Sequence, residues 1–227
     1  MTLQELIDAC RSEAVDTATP YLWSDADWIR YANDAQREAC RRARLIVDST
    51  TTAICRIAMV AATPSYALDS RVLFIKRAKL SGRSLPLGRA SYKDLDRSVP
   101  GWETQTGEPQ AYVPDMNENE FRPYPTPTAS ATVSLTVIRL PLADMALAVV
   151  NPATPAVGPE IKACYHESLV FWMLYRAYSK QDTETLDKKK AADNLALFEA
   201  EFGKKSTSVD ETWIRREHGY TEDEGVY

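Results

Sequence analysis

Four arginines recur along one short segment at spacings of seven, four and three residues. The segment is WSDADWIRYANDAQREACRRARLI, residues 23–46, and the arginines are Arg30, Arg37, Arg41 and Arg44. On a helix these spacings place the four guanidinium groups in one stripe. Arginine binds carboxylates and phosphates through paired hydrogen bonds and is enriched at protein interfaces, where lysine is depleted. The segment contains no lysine, so the stripe is a candidate subunit interface.

Two other interpretations of the arginine stripe stay open. Asp34 and Glu38 lie beside it, and a run of mixed charges usually marks a solvated helix face. The stripe could also bind DNA, but the adjacent acids weaken that interpretation. The mild net charge of −5 gives no support to a general nucleic-acid binder.

Three aspartates in the same segment raise the question of a metal site. They are Asp25, Asp27 and Asp34. The first two fit the first turn of a helix, where the helix dipole favours negative charge. The chain has no oxygen-rich loop with DxDxDG spacing. No metal site is therefore predicted.

Signatures of catalysis are also missing. The sequence contains neither GxGxxG nor GxxxxGK[ST], so the usual phosphate-binding loops cannot form. Cys164 and His166 lie two residues apart and therefore point in different directions on a helix, which argues against a catalytic Cys-His pair. His166 is expected at a helix surface or interface, since catalytic sites are scarce. The alternative is a small enzyme that uses Tyr92, Lys93 and Glu103 near the PGWE turn. A packed aromatic turn explains the same residues, and we expect no catalytic residue and no cofactor.

Composition limits the class of protein. The chain has 227 residues, 44% of them hydrophobic and 26% charged, which fits one or two globular domains. Four scattered cysteines without a CxxC motif predict free thiols and neither disulfides nor a zinc site. The start lacks a basic leader and no segment has the roughly 18 apolar residues of a membrane span. We therefore expect a soluble protein made in a reducing cytoplasm.

Two helices are predicted near the N-terminus. Thr2 and Glu5 form a capping box for the first. Ser24 caps the second, which is expected to continue to about Val47 with a stripe of alanines on its inner face. The alanines allow a neighbouring helix to approach closely.

The C-terminal half predicts two more helices. After Pro159 the stretch IKACYHESLVFWMLYRAYSK is apolar around most of its circumference, which indicates a central helix. Asp182 is expected to cap a fourth helix, and Gly203 to end it.

Between these helical parts the hydrophobic period shortens toward two, which predicts strands. The predicted strands are AICRIAMVA, RVLFIKRAKL, a hairpin of PQAYVPD with EFRPYP, and TVSLTVIRL. The fold class is therefore α+β, with an antiparallel bundle of about four helices and an inserted strand-rich domain. We expect the bundle to comprise residues 1–50 and 158–203, and the insertion residues 51–150.

Residues 204–227 are expected to form an extended C-terminal tail. Little helical period occurs there, yet the tail contains several aromatic side chains, which dominate binding energy at many interfaces. Its candidate partner-binding residues are Trp213, Ile214, Arg215, Arg216, Tyr220 and Tyr227. A tail packed on its own domain, or a flexible end without a partner, is the alternative.

Several blocks of the sequence, in this order, resemble the adaptor or head-to-tail connector proteins of tailed bacteriophages. They are YLWSDADWIRYANDAQREACRRARLIVDS, YALDSRVLFIKRAKL, SVPGWETQTGEPQAYVPD and FRPYPTP. The resemblance implies a structural virion protein of the neck, assembled as a ring of commonly twelve copies beneath the portal protein. It also implies a tail or nozzle protein as a second partner, an extended C-terminus along the portal, and passage of double-stranded DNA without specific binding.

Overall fold

A computed structural model describes residues 1–114, 116–148, 155–205 and 207 of the chain. The chain divides into two compact units. The first unit contains Met1–Ile46 and Arg139–Lys205, and the second contains Val47–Ile138. Helices and several sheets both occur, so the predicted α+β class is confirmed.

Four of the α-helices in the described residues belong to the first unit. They are α1 (Leu3–Glu13), α2 (Asp25–Ala43), α5 (Leu169–Tyr178) and α6 (Lys188–Phe202). The remaining two, α3 (Thr52–Cys55) and α4 (Tyr92–Ser98), belong to the second unit. The helix α5 packs against α1, α2 and α6, as its largely apolar sequence predicts. The core of the first unit includes Leu6, Ile7, Trp28, Ala32, Ala35, Ala39, Leu169, Met173 and Phe198.

The predicted N-terminal caps of α1 and α2 are confirmed. The Thr2 hydroxyl accepts a hydrogen bond from the Glu5 N–H at 3.2 Å, and the Glu5 carboxylate accepts one from the Thr2 N–H at 2.9 Å. The Ser24 hydroxyl accepts a hydrogen bond from the Asp27 N–H at 3.1 Å. These bonds satisfy backbone donors that have no partner within the helix.

The prediction that α2 continues to Val47 is wrong. The helix ends at Ala43, because Arg44 adopts a left-handed conformation with φ of 53°. The chain then enters strand β1 (Ile46–Asp48), whose β-branched residues suit a sheet. Arg44 therefore caps the helix rather than continuing its arginine stripe.

The starts of the two C-terminal helices also differ from the prediction. A 3₁₀ turn at Ala163–Tyr165 precedes α5, so the helix begins at Leu169 and not just after Pro159. The cap of α6 is Asp187 and not Asp182. Its carboxylate accepts hydrogen bonds from the N–H groups of Lys189 and Lys190 at 3.1 and 3.0 Å.

The second unit contains most of the strands. The strands of the described residues are β1 (Ile46–Asp48), β2 (Arg56–Met59), β3 (Tyr66–Ala67), β4 (Val72–Leu80), β5 (Gly88–Arg89), β6 (Thr106–Gly107), β7 (Ala111–Val113), β8 (Glu120–Tyr124), β9 (Thr126–Pro127) and β10 (Ala131–Arg139). In one sheet β10 pairs with β1, β2 and β4. A second sheet has the order β3-β8-β7-β5, and β6 pairs with β9. The antiparallel pairing of β7 with β8 confirms the predicted hairpin.

One predicted strand of the second unit is partly wrong. AICRIAMVA starts within α3, and only its middle, Arg56–Met59, forms strand β2. The main core of the unit includes Ile57, Met59, Val72, Ile75, Ala78, Leu80, Val133, Leu135 and Val137. Side chains of β2 and β10 alternate between this core and the opposite face, as the period of two predicts.

No helix in the described parts of the chain combines the length and the apolar character that crossing a membrane requires.

Candidate assembly surfaces

The arginine stripe of α2 is a row of ion pairs. Each of Arg30, Arg37 and Arg41 lies within ion-pair distance of the acid three residues before it. The pairs are Arg30 with Asp27 at 2.9 Å, Arg37 with Asp34 at 3.7 Å, and Arg41 with Glu38 at 3.1 Å. The arginine side chains are 61%, 46% and 30% exposed, respectively. The exposed face of α2 therefore carries alternating charges and not a continuous positive stripe.

Two of these acids also join α2 to α5. Arg176 lies 3.1 Å from Asp34, and Lys180 lies 3.3 Å from Asp27. Burial by itself would raise the pKa of Asp27, but hydrogen bonds from Lys180 and Ser24 and the nearby positive charges lower it below its ordinary value. These acids thus stabilise the packing of the helices as well as the helix surface.

The aspartates considered for a metal site are each paired with a cation. Asp25 lies 2.7 Å from Arg11, and Asp27 and Asp34 have the partners described above. Within the described residues, no group of three or more His, Cys, Asp or Glu side chains is arranged to hold a metal ion. Ion pairing and capping account for all three carboxylates.

Arg42 is a buried arginine of α2 whose contacts the sequence pattern did not reveal. Its side chain is only 3% exposed. Its Nε donates to Glu38 at 2.9 Å, and its terminal nitrogen donates to the Gly203 carbonyl at 3.0 Å. The guanidinium also lies over the rings of Trp172 and Phe198, with centroid distances of 5.2 and 5.3 Å. Arg42 therefore fixes the end of α6, where the chain leaves the helix toward residues 204–227.

Two buried amides of α2 hold the segment that precedes α5. The Asn33 side chain accepts a hydrogen bond from the Met145 N–H at 2.7 Å and donates to the Met145 carbonyl at 3.1 Å. The Gln36 carbonyl oxygen accepts a hydrogen bond from the Glu160 N–H at 2.6 Å. Arg37 also pairs with Asp144. Asn33 and Gln36 of α2 thus bind the backbone of Met145 and of Glu160. These two residues flank residues 149–154, which lie outside the described part of the chain.

Arg11 forms a second buried cation site in the first unit. Its guanidinium donates to Asp16 at 3.0 Å, to Asp25 at 2.7 Å and to the Trp23 carbonyl at 3.2 Å. The ring of Tyr21 lies 3.6 Å from the guanidinium carbon. This cluster positions the turn between α1 and α2.

Of the two positions predicted for His166, a helix surface or an interface, the surface is wrong. His166 is buried, its Nε2 lies 2.9 Å from the Ile161 carbonyl, and its Nδ1 lies 2.8 Å from the Met1 amino group. Both ring nitrogens therefore have structural partners.

The PGWE turn is packed around Trp102. The indole is buried, stacks edge-on against Tyr124 with ring centroids 5.9 Å apart, and donates to Asp96 at 2.7 Å. Gly101, with φ of +74°, makes the turn that brings Trp102 inward. Glu103 is exposed, and Tyr92 and Lys93 begin helix α4. This arrangement supports the packed turn over the enzyme alternative.

The six tail residues predicted to bind a partner, Trp213, Ile214, Arg215, Arg216, Tyr220 and Tyr227, lie outside the described residues. Arg44, the fourth residue of the predicted subunit interface, lies at the C-terminal cap of α2 and is half-buried. The subunit-interface role of the four arginines stays a prediction.

Comparison with known proteins gives one family. The family model described as SU10 adaptor protein matches residues 1–218, which include the first unit, the second unit and part of the tail. No curated protein matches the chain.

Proposed function

This chain belongs to the SU10 adaptor protein family, and we propose that it forms a ring beneath the portal of a tailed bacteriophage and joins the capsid to the tail. Its place is then the neck of the virion, and the adaptor role is structural. The match over residues 1–218 is the observation on which the proposal depends, because it includes nearly the whole chain.

The exposed face of α2 is the proposed contact between neighbouring copies. A closed ring requires each subunit to present two complementary surfaces. The alternating charges of Arg30, Arg37 and Arg41 with their acids provide one such surface, since a neighbour with the opposite order of charges can pair with it. The buried side of α2 packs in the core, so this face is held on a rigid element.

The C-terminal tail is the proposed contact with the portal protein. The family match extends to residue 218 and therefore includes Trp213, Ile214, Arg215 and Arg216. These are residue types that dominate interface energies. Arg42 supports this role, because it fixes the point from which the tail starts.

The tail or nozzle protein is the proposed partner on the opposite side of the ring, and double-stranded DNA passes through its centre. The ring is expected to contain twelve copies. A four-helix bundle made of α1, α2, α5 and α6, with the second unit inserted, is the proposed form of the subunit.

The test is assembly on a purified portal ring. Removal of residues 206–227 is expected to abolish portal binding measured by mass photometry, while circular dichroism and the thermal unfolding of the two units stay unchanged. Removal of residues 219–227 alone keeps the matched part of the tail but removes Tyr220 and Tyr227, so it separates the contributions of the two parts of the tail. Undiminished portal binding after the larger deletion would refute the role of the tail.

The α2 face has its own test. The pair of substitutions Arg37→Glu and Arg41→Glu reverses two charges and is expected to prevent ring formation on the portal. The matched control is Lys188→Glu with Lys189→Glu, which makes the same charge change on exposed residues of α6. Equal assembly of both variants would show that the α2 face is merely solvated.

A further inference from the structure

On three strands of the β10 sheet, β2, β4 and β10, the polar side chains that face away from the core are positive or carry hydroxyl groups. Strands β2, β4 and β10, all within the described residues, contain no aspartate or glutamate. Exposed or partly exposed cations occur on two of them, namely Arg56 on β2 and Lys76, Arg77 and Lys79 on β4. The face opposite the core is thus a locally positive surface on an acidic chain.

The alternation of β2 and β10 places their polar residues on one side. Ile57, Val133 and Leu135 are buried in the core, so Arg56 and Ser134 point to the opposite face. The register pairs Ser134 with Arg56 across the two strands, and the Arg56 guanidinium donates to the Ser134 hydroxyl.

Strand β4 adds two cations to the same face. Ala78 and Leu80 are buried in the core, so Arg77 and Lys79 point away from it. Because β4 pairs with β10, and the Ser81 N–H donates to the Thr132 carbonyl at 2.8 Å, this end of β4 lies beside the start of β10. Residues two apart on a strand are separated by roughly 6.6 Å. We call Arg56, Arg77, Lys79, Thr132 and Ser134 the cationic sheet face.

We propose that the cationic sheet face contacts the phosphate backbone of double-stranded DNA, without reading its sequence. The proposal rests on the proposed function, in which DNA passes through the adaptor, and it gives the second unit a role there.

The side-chain chemistry favours phosphate over a protein partner. Arginine, lysine, serine and threonine are the side chains that commonly bond phosphate oxygens. Protein interfaces depend on buried aromatic or apolar anchors, and none of the five residues of the cationic sheet face is aromatic or apolar. Asparagine and glutamine, which read the edges of adenine, are also absent from it, so the contact is independent of sequence.

Three cations predict a weak contact, which suits DNA that must move. Each neutralised phosphate lowers the logarithm of the affinity by about 0.9 per tenfold increase in salt, so three give a slope of about −2.7. A doubling of salt from 50 to 100 mM should then weaken binding about sixfold. With Arg77→Gln and Lys79→Gln the remaining cation should give only about a twofold change.

The experiment is a ¹H–¹⁵N NMR titration of the full chain with a random-sequence DNA duplex at both salt concentrations. The expected result is amide shifts around residues 56–58, 77–81 and 132–134, with the sixfold salt effect. The double Gln variant should lose most of the shift. Lys188→Gln with Lys189→Gln, which removes the same charge elsewhere, should bind DNA as the unsubstituted chain does.

Three outcomes would overturn the proposal. They are shifts located elsewhere in the chain, equal loss of binding in both double variants, and DNA binding without salt dependence. Loss of portal or tail-protein binding in the Arg77 and Lys79 variant, with DNA shifts unchanged, would assign the face to an acidic protein partner instead. Ring assembly is measured separately on the portal, so failure of the DNA contact and failure of the adaptor role are distinguishable.

Discussion

Replacement of Arg42 by methionine should destabilise the first unit by about 3 kcal/mol. Methionine keeps an apolar stem against Trp172 and Phe198 but removes the donor to the Gly203 carbonyl and to the side chain of Glu38. Removal of one partner of a buried ion pair costs about 3 to 5 kcal/mol. The lower end of this range applies because Glu38 still has an ion-pair partner in the variant, namely Arg41 at 3.1 Å.

Urea unfolding followed by circular dichroism at 222 nm measures this loss, since helices dominate the first unit. With an m value of about 3 kcal/mol per molar urea, the midpoint should fall by about 1 M. Arg30→Met is the matched control, because that arginine is 61% exposed and its ion pair should contribute less than about 1 kcal/mol. Adding Glu38→Gln to Arg42→Met should recover part of the loss, because it removes the charge left without its buried partner.

A midpoint within the error of the unsubstituted protein, or a loss equal to that of Arg30→Met, would refute this account of Arg42. The expected second effect is on portal binding. The Arg42 variant should dock more weakly even under conditions where it is fully folded, because the start of the tail is no longer fixed.

Three further predictions concern the first unit and its thiols. Asn33→Ala should lower the free energy of unfolding by about 2 kcal/mol, because the backbone N–H and carbonyl of Met145 lose their hydrogen-bond partner. Proteolysis near Met145 should become faster, and an unchanged rate would contradict this. Cys164 should react rapidly with a thiol reagent in the native protein while the three buried cysteines react only on unfolding, and Cys164→Ser should abolish the fast phase. Because the pKa of Asp27 is lower in the folded state, its contribution to stability is present above the ordinary value of 3.8 and is lost as the pH falls through the folded pKa. The urea midpoint of Asp27→Asn should therefore depend less on pH in that range than the midpoint of the unsubstituted protein, and parallel curves would count against this coupling.

Local signals in the sequence correctly predicted helix starts that are determined by residues within a single helical turn. The Thr2 and Ser24 caps are examples, because the capping side chain and the N–H groups it satisfies lie within three residues. The start of α6 shows the limit of the same reasoning. Asp182 and Asp187 are both suitable caps, and the structure selects Asp187, whose carboxylate bonds the first turn of the helix.

The C-terminal end of α2 depends on partners that are distant in sequence. Helical spacing continues to Ile46, but pairing with β10 draws Ile46–Asp48 into a sheet. In such a pairing, burial and cross-strand hydrogen bonds outweigh the helical preference of the local sequence. A periodic pattern alone therefore placed the boundary too late.

The side-chain contacts of α2 were predicted only in part, because residue spacing gives the direction of a side chain but not its partner. The acids beside Arg37 and Arg41 indicated the possible ion pairs of α2. Arg42 was missed, although it follows Ala39 by three residues and so continues the buried alanine face. Asn33 and Gln36 were polar residues at the edge of the same face, which is the signal that could have identified them.

The alternation of charges along α2 also affects how quickly copies meet. The fields of paired opposite charges largely cancel at distances greater than their separation, and salt screens what remains beyond the Debye length, about 8 Å at physiological ionic strength. Two subunits approaching through this face therefore experience little long-range attraction, and their encounter proceeds at the slower rate of proteins without electrostatic steering. We therefore expect free copies to associate slowly, and we expect assembly to be faster once another component holds two of them side by side.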